Sequence, residues 1–141
     1  MASDGNDFAR SMSIATSGLR AQAGRMRVIS ENIANAESTA QTAGGEPYRR
    51  KVPTFSSALD RSLDAKTVSL GKVRPDQSAF RIKHEPGNPA ADASGNVKYP
   101  NVNPLVEMTD MREAQRSYEA NLNIISATRR MIQRTLDILK A

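Results

Sequence analysis

Cysteine is absent from this 141-residue chain, which excludes disulfides, thiolate metal sites and thiol catalysis together. The absence does not locate the protein. Disulfides do not last in a reducing compartment, and a stray thiol is a liability in an oxidising one, so a cysteine-free chain suits both. Tryptophan is also missing and aromatics make up only 4% of the residues. The large rigid side chains that fill the middle of a compact domain are therefore scarce, and a thin core is expected. No apolar run reaches the length of about 18 residues that a membrane-spanning helix needs, and the N-terminus lacks the apolar stretch of a cleavable secretory signal. If the protein is exported, it leaves by another route.

Proline is missing from both ends. All seven prolines lie between Pro47 and Pro104, and because proline ends or kinks helices, this placement alone divides the chain into helix, non-helical middle and helix. In the first segment apolar positions recur at spacings of four and three: Phe8, Met12, Ala15, Leu19, then Met26, Ile29, Ile33 and Ala36, with Gln22 as a polar interruption. That is a heptad seam about four repeats long. Gly18 and Gly24 interrupt it, each costing about 1 kcal/mol of helix propensity against alanine. The last segment opens on Asn103 and Pro104, a good N-cap followed by proline at the first helical position. Met108, Met111, Tyr118, Leu122, Ile125, Ile132, Leu136 and Leu139 then follow the same spacing, and Ile124, Met131 and Ile138 form a second row beside them. So broad an apolar face needs more than one neighbour.

Between the helices, short strand-like runs (Arg50 to Phe55, Thr67 to Val73, Ala79 to Lys83, Val97 to Tyr99) alternate with turn formers, notably Asp92 to Asn96. Pro53 marks its run as an edge strand or extended arm. Little core is expected here, and Glu85 to Asp92 reads as exposed loop. The expected class is mainly α: long N- and C-terminal helices (1–36 and 105–141) forming an antiparallel coiled coil, with an extended, partly β segment (37–104) inserted between the two halves of one helical core. Two helices of this length separated by nearly 70 residues do not make an ordinary bundle. Their apolar faces call for other copies of the chain.

Chemistry is hard to find. His84, the single histidine, has no partner at metal-ligand spacing. Gly44 and Gly45 make a turn too short to cradle phosphate. Glu107 and Asp110 share a helical face at a helix start, where the macrodipole explains them. The methionines read as adaptable packing. No catalytic residue, metal site or cofactor is expected. The net charge of +5 is spread along the chain as +1, +3 and +1 over residues 1–36, 37–106 and 107–141. Arg49, Arg50 and Lys51 form the only triple basic run, so nucleic-acid binding is not expected. A basic nucleic-acid-binding coiled coil stays open as a rival from another class.

The two ends carry a resemblance. Ser17 to Gln22 (Ser-Gly-Leu-Arg-Ala-Gln), followed by Arg25 to Thr39 with Asn32 and Asn35, resembles the N-terminal signature of the bacterial flagellar axial proteins of the rod and hook. Pro100 to Asn121, with Glu107 and Asn121, is similar to their C-terminal signature in its proximal-rod form, and the short middle containing Gly45 to Val52 fits that form as well. The resemblance implies a structural subunit of the basal-body rod, crossing the periplasm. It implies export through the flagellar type III apparatus and self-association into a helical tube that transmits torque. The implied partners are other rod proteins, the inner-membrane ring proteins and, transiently, the export gate, for which Phe8 and Met12 match the short motif; direct membrane insertion is not implied. Another rod or hook-base subunit is the alternative within the family. The helix-packing residues on this reading are Phe8, Met12, Leu19, Met26, Ile29 and Ile33 in the first helix. In the second they are Met111, Tyr118, Leu122, Ile125, Ile132, Leu136 and Leu139. Asn32, Asn35 and Asn121 either cap and solvate helix ends or hydrogen-bond between subunits and set register.

Overall fold

A computed structural model describes residues 2–141 of the chain, with side chains from Gly5 onward. Two long helices, α1 (Ala2–Ala34) and α2 (Pro104–Lys140), enclose six short strands in the sequence: β1 (Lys51–Val52), β2 (Phe55–Asp60), β3 (Ala65–Leu70), β4 (Arg74–Pro75), β5 (Arg81–His84) and β6 (Asn96–Tyr99). The strands pair antiparallel as three separate two-stranded ribbons, β1 with β4, β2 with β3 and β5 with β6. The chain divides into two compact units. One takes the segments up to Met26, Thr54–Lys72 and Glu113 onward; the other takes Arg27–Pro53 and Val73–Arg112.

In the first unit α1 and α2 run antiparallel. A Cβ placed on Gly18 would stand 3.0 Å from the Asn121 amide, and Arg25 pairs with Glu113 at 3.4 Å, so partners on α2 fall in number as those on α1 rise. Ala15, Ala21, Ala114 and Thr128 are buried in this unit. The glycines that weaken α1 thus have a spatial reason: Gly18 faces Asn121, and a Cβ on Gly24 would meet the Leu70 side chain of β3 at 2.9 Å. The β2–β3 hairpin is fastened to α1 by Arg10, whose Nε donates to the Leu63 carbonyl at 2.6 Å, and by Ser17 Oγ, which accepts from the Val68 amide at 3.2 Å. Asp60 shapes the hairpin turn by accepting from the backbone and hydroxyl of Ser62.

The second unit holds the start of α2, capped as the sequence indicates. Asn103 Oδ1 accepts from the Leu105 amide at 3.1 Å, meeting one of the orphan donors of a helix start, and the Asn103 carbonyl accepts the first intrahelical bond, from Glu107, at 3.1 Å. Pro53, lacking an amide hydrogen, separates β1 from β2. The Asp92 carboxylate accepts from Ser94 and Asn96 at 2.8 and 2.9 Å, and Gly95 takes a positive φ of 76°, so the chain turns into β6 where expected.

One expectation fails here. The middle of the chain does contain core: Ala90, Val97, Tyr99, Pro100 and Val102 are all buried, because β6 turns Val97 and Tyr99 to one face, where Ala90 packs with them. The alanine-lined core is that of the first unit, where Ala15, Ala21, Ala65 and Ala114 are buried, and alanine contributes little transfer energy. The second unit buries larger groups, Val28, Ile29, Val97, Tyr99 and Val102, and with them the polar side chains of Asn32 and Glu107.

Candidate functional site

The most buried polar cluster joins α1, β1 and α2 within the second unit. Asn32 is 0% exposed and Glu107 is 1% exposed. The Asn32 side chain pairs with the backbone of Lys51 as a strand would: Oδ1 accepts from the Lys51 amide at 2.9 Å and Nδ2 donates to the Lys51 carbonyl at 2.8 Å. Its second donor reaches Glu107 Oε2 at 3.0 Å and its second lone pair accepts from the Tyr48 hydroxyl at 2.8 Å. All four hydrogen-bonding positions of the amide are thus filled inside the chain. Asn32 neither caps a helix end nor has a bond left for a second copy.

Glu107 is held from its other side by Arg50, whose Nε donates to Oε1 at 2.5 Å. The same guanidinium lies 3.4 Å from Asp76 and 3.9 Å from Asp110. Burial works against the Arg50 charge, but the hydrogen bond and charge of Glu107, with Asp76 behind them, raise its pKa further. Asp76 is kept below the usual carboxylate range, first by hydrogen bonds from the Ser78 backbone and side chain and then by Arg50. Asn101 completes the cage, accepting from the Arg50 amide at 2.8 Å and donating to the Asp76 carbonyl at 3.0 Å. Lys51 closes the outer edge in an ion pair with Glu31. Glu107 is therefore more than a helix-dipole residue; it is the buried carboxylate of an ion pair whose guanidinium is partly exposed.

Tyr48 gives this cluster a measurable signature. Burial, with the charges of Glu31 and Glu107 adding to it, pushes its hydroxyl from 10.0 up to about 12. The folded state favours neutral tyrosine, so the contribution is complete below pH 10 and is lost as pH rises toward 12. Tyr99 is raised too, by its hydrogen bond to Glu85, so the expected result is that Tyr48→Phe reduces the late phase of tyrosinate absorbance and makes unfolding less sensitive to pH across that window. An unchanged late phase would assign it to another tyrosine.

The other residues marked by the sequence fall as follows. Asn35 donates to the Glu31 carbonyl at 2.9 Å at the end of α1, where Arg81 also donates to the Ala36 carbonyl at 2.7 Å. Asn121 donates to the Ser117 carbonyl and packs on Gly18. On α1, Ile29 is buried while Phe8, Met12, Leu19, Met26 and Ile33 are half-buried. On α2, Met111, Tyr118, Ile125 and Ile132 are half-buried, whereas Leu122, Leu136 and Leu139 are exposed. The buried line on α2 runs instead through Glu107, Ala114 and Thr128, in heptad step with half-buried Asn121. The described residues hold no group of three or more acidic or histidine side chains arranged for a metal, and among them no helix is long and apolar enough to cross a membrane.

Comparison with known proteins bears on the same two helices. A family model described as flagella basal body rod protein matches residues 12–40, and one described as flagellar basal body rod FlgEFG protein C-terminal matches residues 93–138. The flagellar basal-body rod protein FlgC of Agrobacterium fabrum is 54% identical over 128 residues, covering 91% of this chain and 92% of its own. The chain belongs to the FlgC family. FlgC proteins of Bacillus subtilis (39% identical, covering 92% of this chain and 97% of their own) and Salmonella typhimurium (38%, covering 89% and 92%) are similar over nearly the whole length too. As a FlgC-family member it is a structural subunit of the flagellar basal-body rod and not an enzyme.

The two matched spans of this chain carry the two buried partners, Asn32 in the first and Glu107 in the second. Tyr48, Arg50 and Asp76, which connect them, lie between the spans. Tyr48 and Arg50 fall in the Gly45–Val52 stretch and Arg50 in the basic run, but nothing local in the sequence names their partners or marks Asp76. Asn32 itself had a signal: it follows Val28 and Ile29 on the apolar side of α1, where a polar residue needs a buried partner.

Proposed function

We propose that this subunit assembles into the proximal rod by burying the open apolar face of α2 against neighbouring subunits. In the assembled rod α1 and α2 pack as an antiparallel coiled coil and form part of a helical tube that carries motor torque. The reading includes export through the flagellar type III apparatus, with Phe8 and Met12 as the export-gate contact. It also includes association with other rod proteins and with the inner-membrane ring proteins.

One observation carries it. Leu122, Leu136, Leu139, Ile124, Met131 and Ile138 all lie exposed on α2, Ile138 at 75%. An open apolar surface of that extent on a single chain marks a surface that is covered in use. In a rod-family subunit the covering groups are other axial subunits.

Leu122 tests this, because at 42% exposure it can change without emptying the chain's own core. Leu122→Asp is expected to leave the helicity of the purified subunit and its export unchanged while abolishing rod assembly and motility, since a carboxylate buried without a partner costs several kcal/mol. Swimming at the normal rate would refute the assignment of this face.

A further inference from the structure

A cleft of about 720 Å3 opens in the second unit beside the β1–β4 ribbon. Arg27, Arg49 and Arg74 line it, together with Lys51 and Glu31, which neutralise each other. Among the described residues, no carboxylate forms an ion pair with any of the three arginines. Arg49 is fixed in position: it donates to the Asp76 and Ser78 carbonyls at 3.1 and 3.3 Å and stacks 4.1 Å from the centre of the Phe80 ring. Val28, Val73 and Pro75 supply an aliphatic lining.

Three uncompensated guanidiniums around an aliphatic lining fit a peptide that carries carboxylates on both sides of an aliphatic side chain. Arginine matches carboxylate geometry with paired donors, and the lining removes apolar surface from water. Nucleic acid is poorly served, because cations already lie over the rings of Tyr48 and Phe80 and leave little free face for base stacking. A second copy of the chain is poorly suited as well. The chain carries a net charge of +5, and its closely spaced carboxylates are engaged: Glu107 and Asp110 by Arg50, Glu113 by Arg25, Asp7 and Asp64 by Arg10, and Asp60 by Ser62. We propose that this cleft docks an acidic segment of a different protein, at a surface separate from the apolar face of α2.

The test uses the full-length chain in cells that assemble flagella, with a photoreactive amino acid in place of Val73, and maps the cross-linked peptide by mass spectrometry. The expected product joins Val73 to a segment of another protein that has at least two carboxylates within about five residues of an aliphatic side chain. Arg27→Glu combined with Arg74→Glu is expected to lower its yield by about tenfold, while Lys98→Glu, outside the cleft, leaves it unchanged. A cross-link to a second copy, to nucleic acid or to an uncharged segment would overturn the proposal. So would the absence of any product, or a product that persists in the double variant. The same photoreactive group at Leu122 reports separately on the α2 face, so failure at one site is not confused with failure at the other.

Discussion

Arg50→Met is expected to destabilise the second unit by about 3–5 kcal/mol, the usual cost of removing one partner from a buried ion pair. Glu107 would keep its hydrogen bond from Asn32 but lose the guanidinium at 2.5 Å, while remaining almost fully shielded from water. The loss comes from the stranded carboxylate more than from any intrinsic strength of the pair. Adding Glu107→Leu in the same chain should therefore recover a large part of it, since replacing both charges by apolar groups is often close to neutral. Urea unfolding followed by tyrosine fluorescence is the measurement, because Tyr48 and Tyr99 both lie in this unit. A single-variant loss below about 1 kcal/mol, the range of exposed pairs, would show that water reaches Glu107 and that the pair is a surface one.

The second large effect concerns the amide of Asn32. Asn32→Ala leaves the Lys51 amide and carbonyl, the Tyr48 hydroxyl and Glu107 Oε2 each short of a partner. Buried groups left unpaired cost about 1–3 kcal/mol each; allowing for relaxation and non-additivity, a loss of about 3 kcal/mol or more is expected. Asn32→Asp discriminates chemistry from shape. It keeps the volume and both acceptor contacts, but turns the donor that faces Glu107 Oε2 at 3.0 Å and the Lys51 carbonyl at 2.8 Å into a second acceptor. Two carboxylates then oppose each other in a buried site. This variant should be at least as unstable as the alanine one at neutral pH, and should regain stability as pH falls and one of the pair takes up a proton. Wild-type stability of Asn32→Asp at pH 7 would mean that the amide's donors do not matter.

These two variants also mark where the sequence could and could not be read. The helices were legible because proline is confined to residues 47–104 and because Asn103 with Pro104 forms a local start signal. The turn before β6 was legible because Asp92 and Gly95 act on their own neighbours. The ion pair of Arg50 with Glu107 was not, since it joins positions 57 apart and such a pairing leaves no periodic trace. The seam on α2 was half legible for a related reason. Hydropathy selects large apolar residues; of these Met111, Tyr118, Ile125 and Ile132 are half-buried and Leu122, Leu136 and Leu139 exposed, while the most buried positions are Glu107, Ala114 and Thr128. Ala114 and Thr128 are small where α1 approaches closely, as the 3.0 Å clearance at Gly18 shows, whereas Glu107 is buried because Asn32 and Arg50 bind its carboxylate. The ribbon core was missed because a few alanines with Val97 and Val102 do not stand out in composition.

The bond from Asn32 to Glu107 spans 75 positions of the chain, and that separation orders events in time. While the chain emerges from a ribosome, Asn32, Tyr48 and Arg50 have all appeared long before their acidic partner. Until Glu107 is out, the guanidinium has no buried carboxylate to meet and the amide of Asn32 lacks one of its four bonds, so the second unit stays open to solvent. Closing so long a loop is slow compared with local helix formation. The last quarter of the chain thus acts as a latch, and the order in which residues leave determines when it shuts.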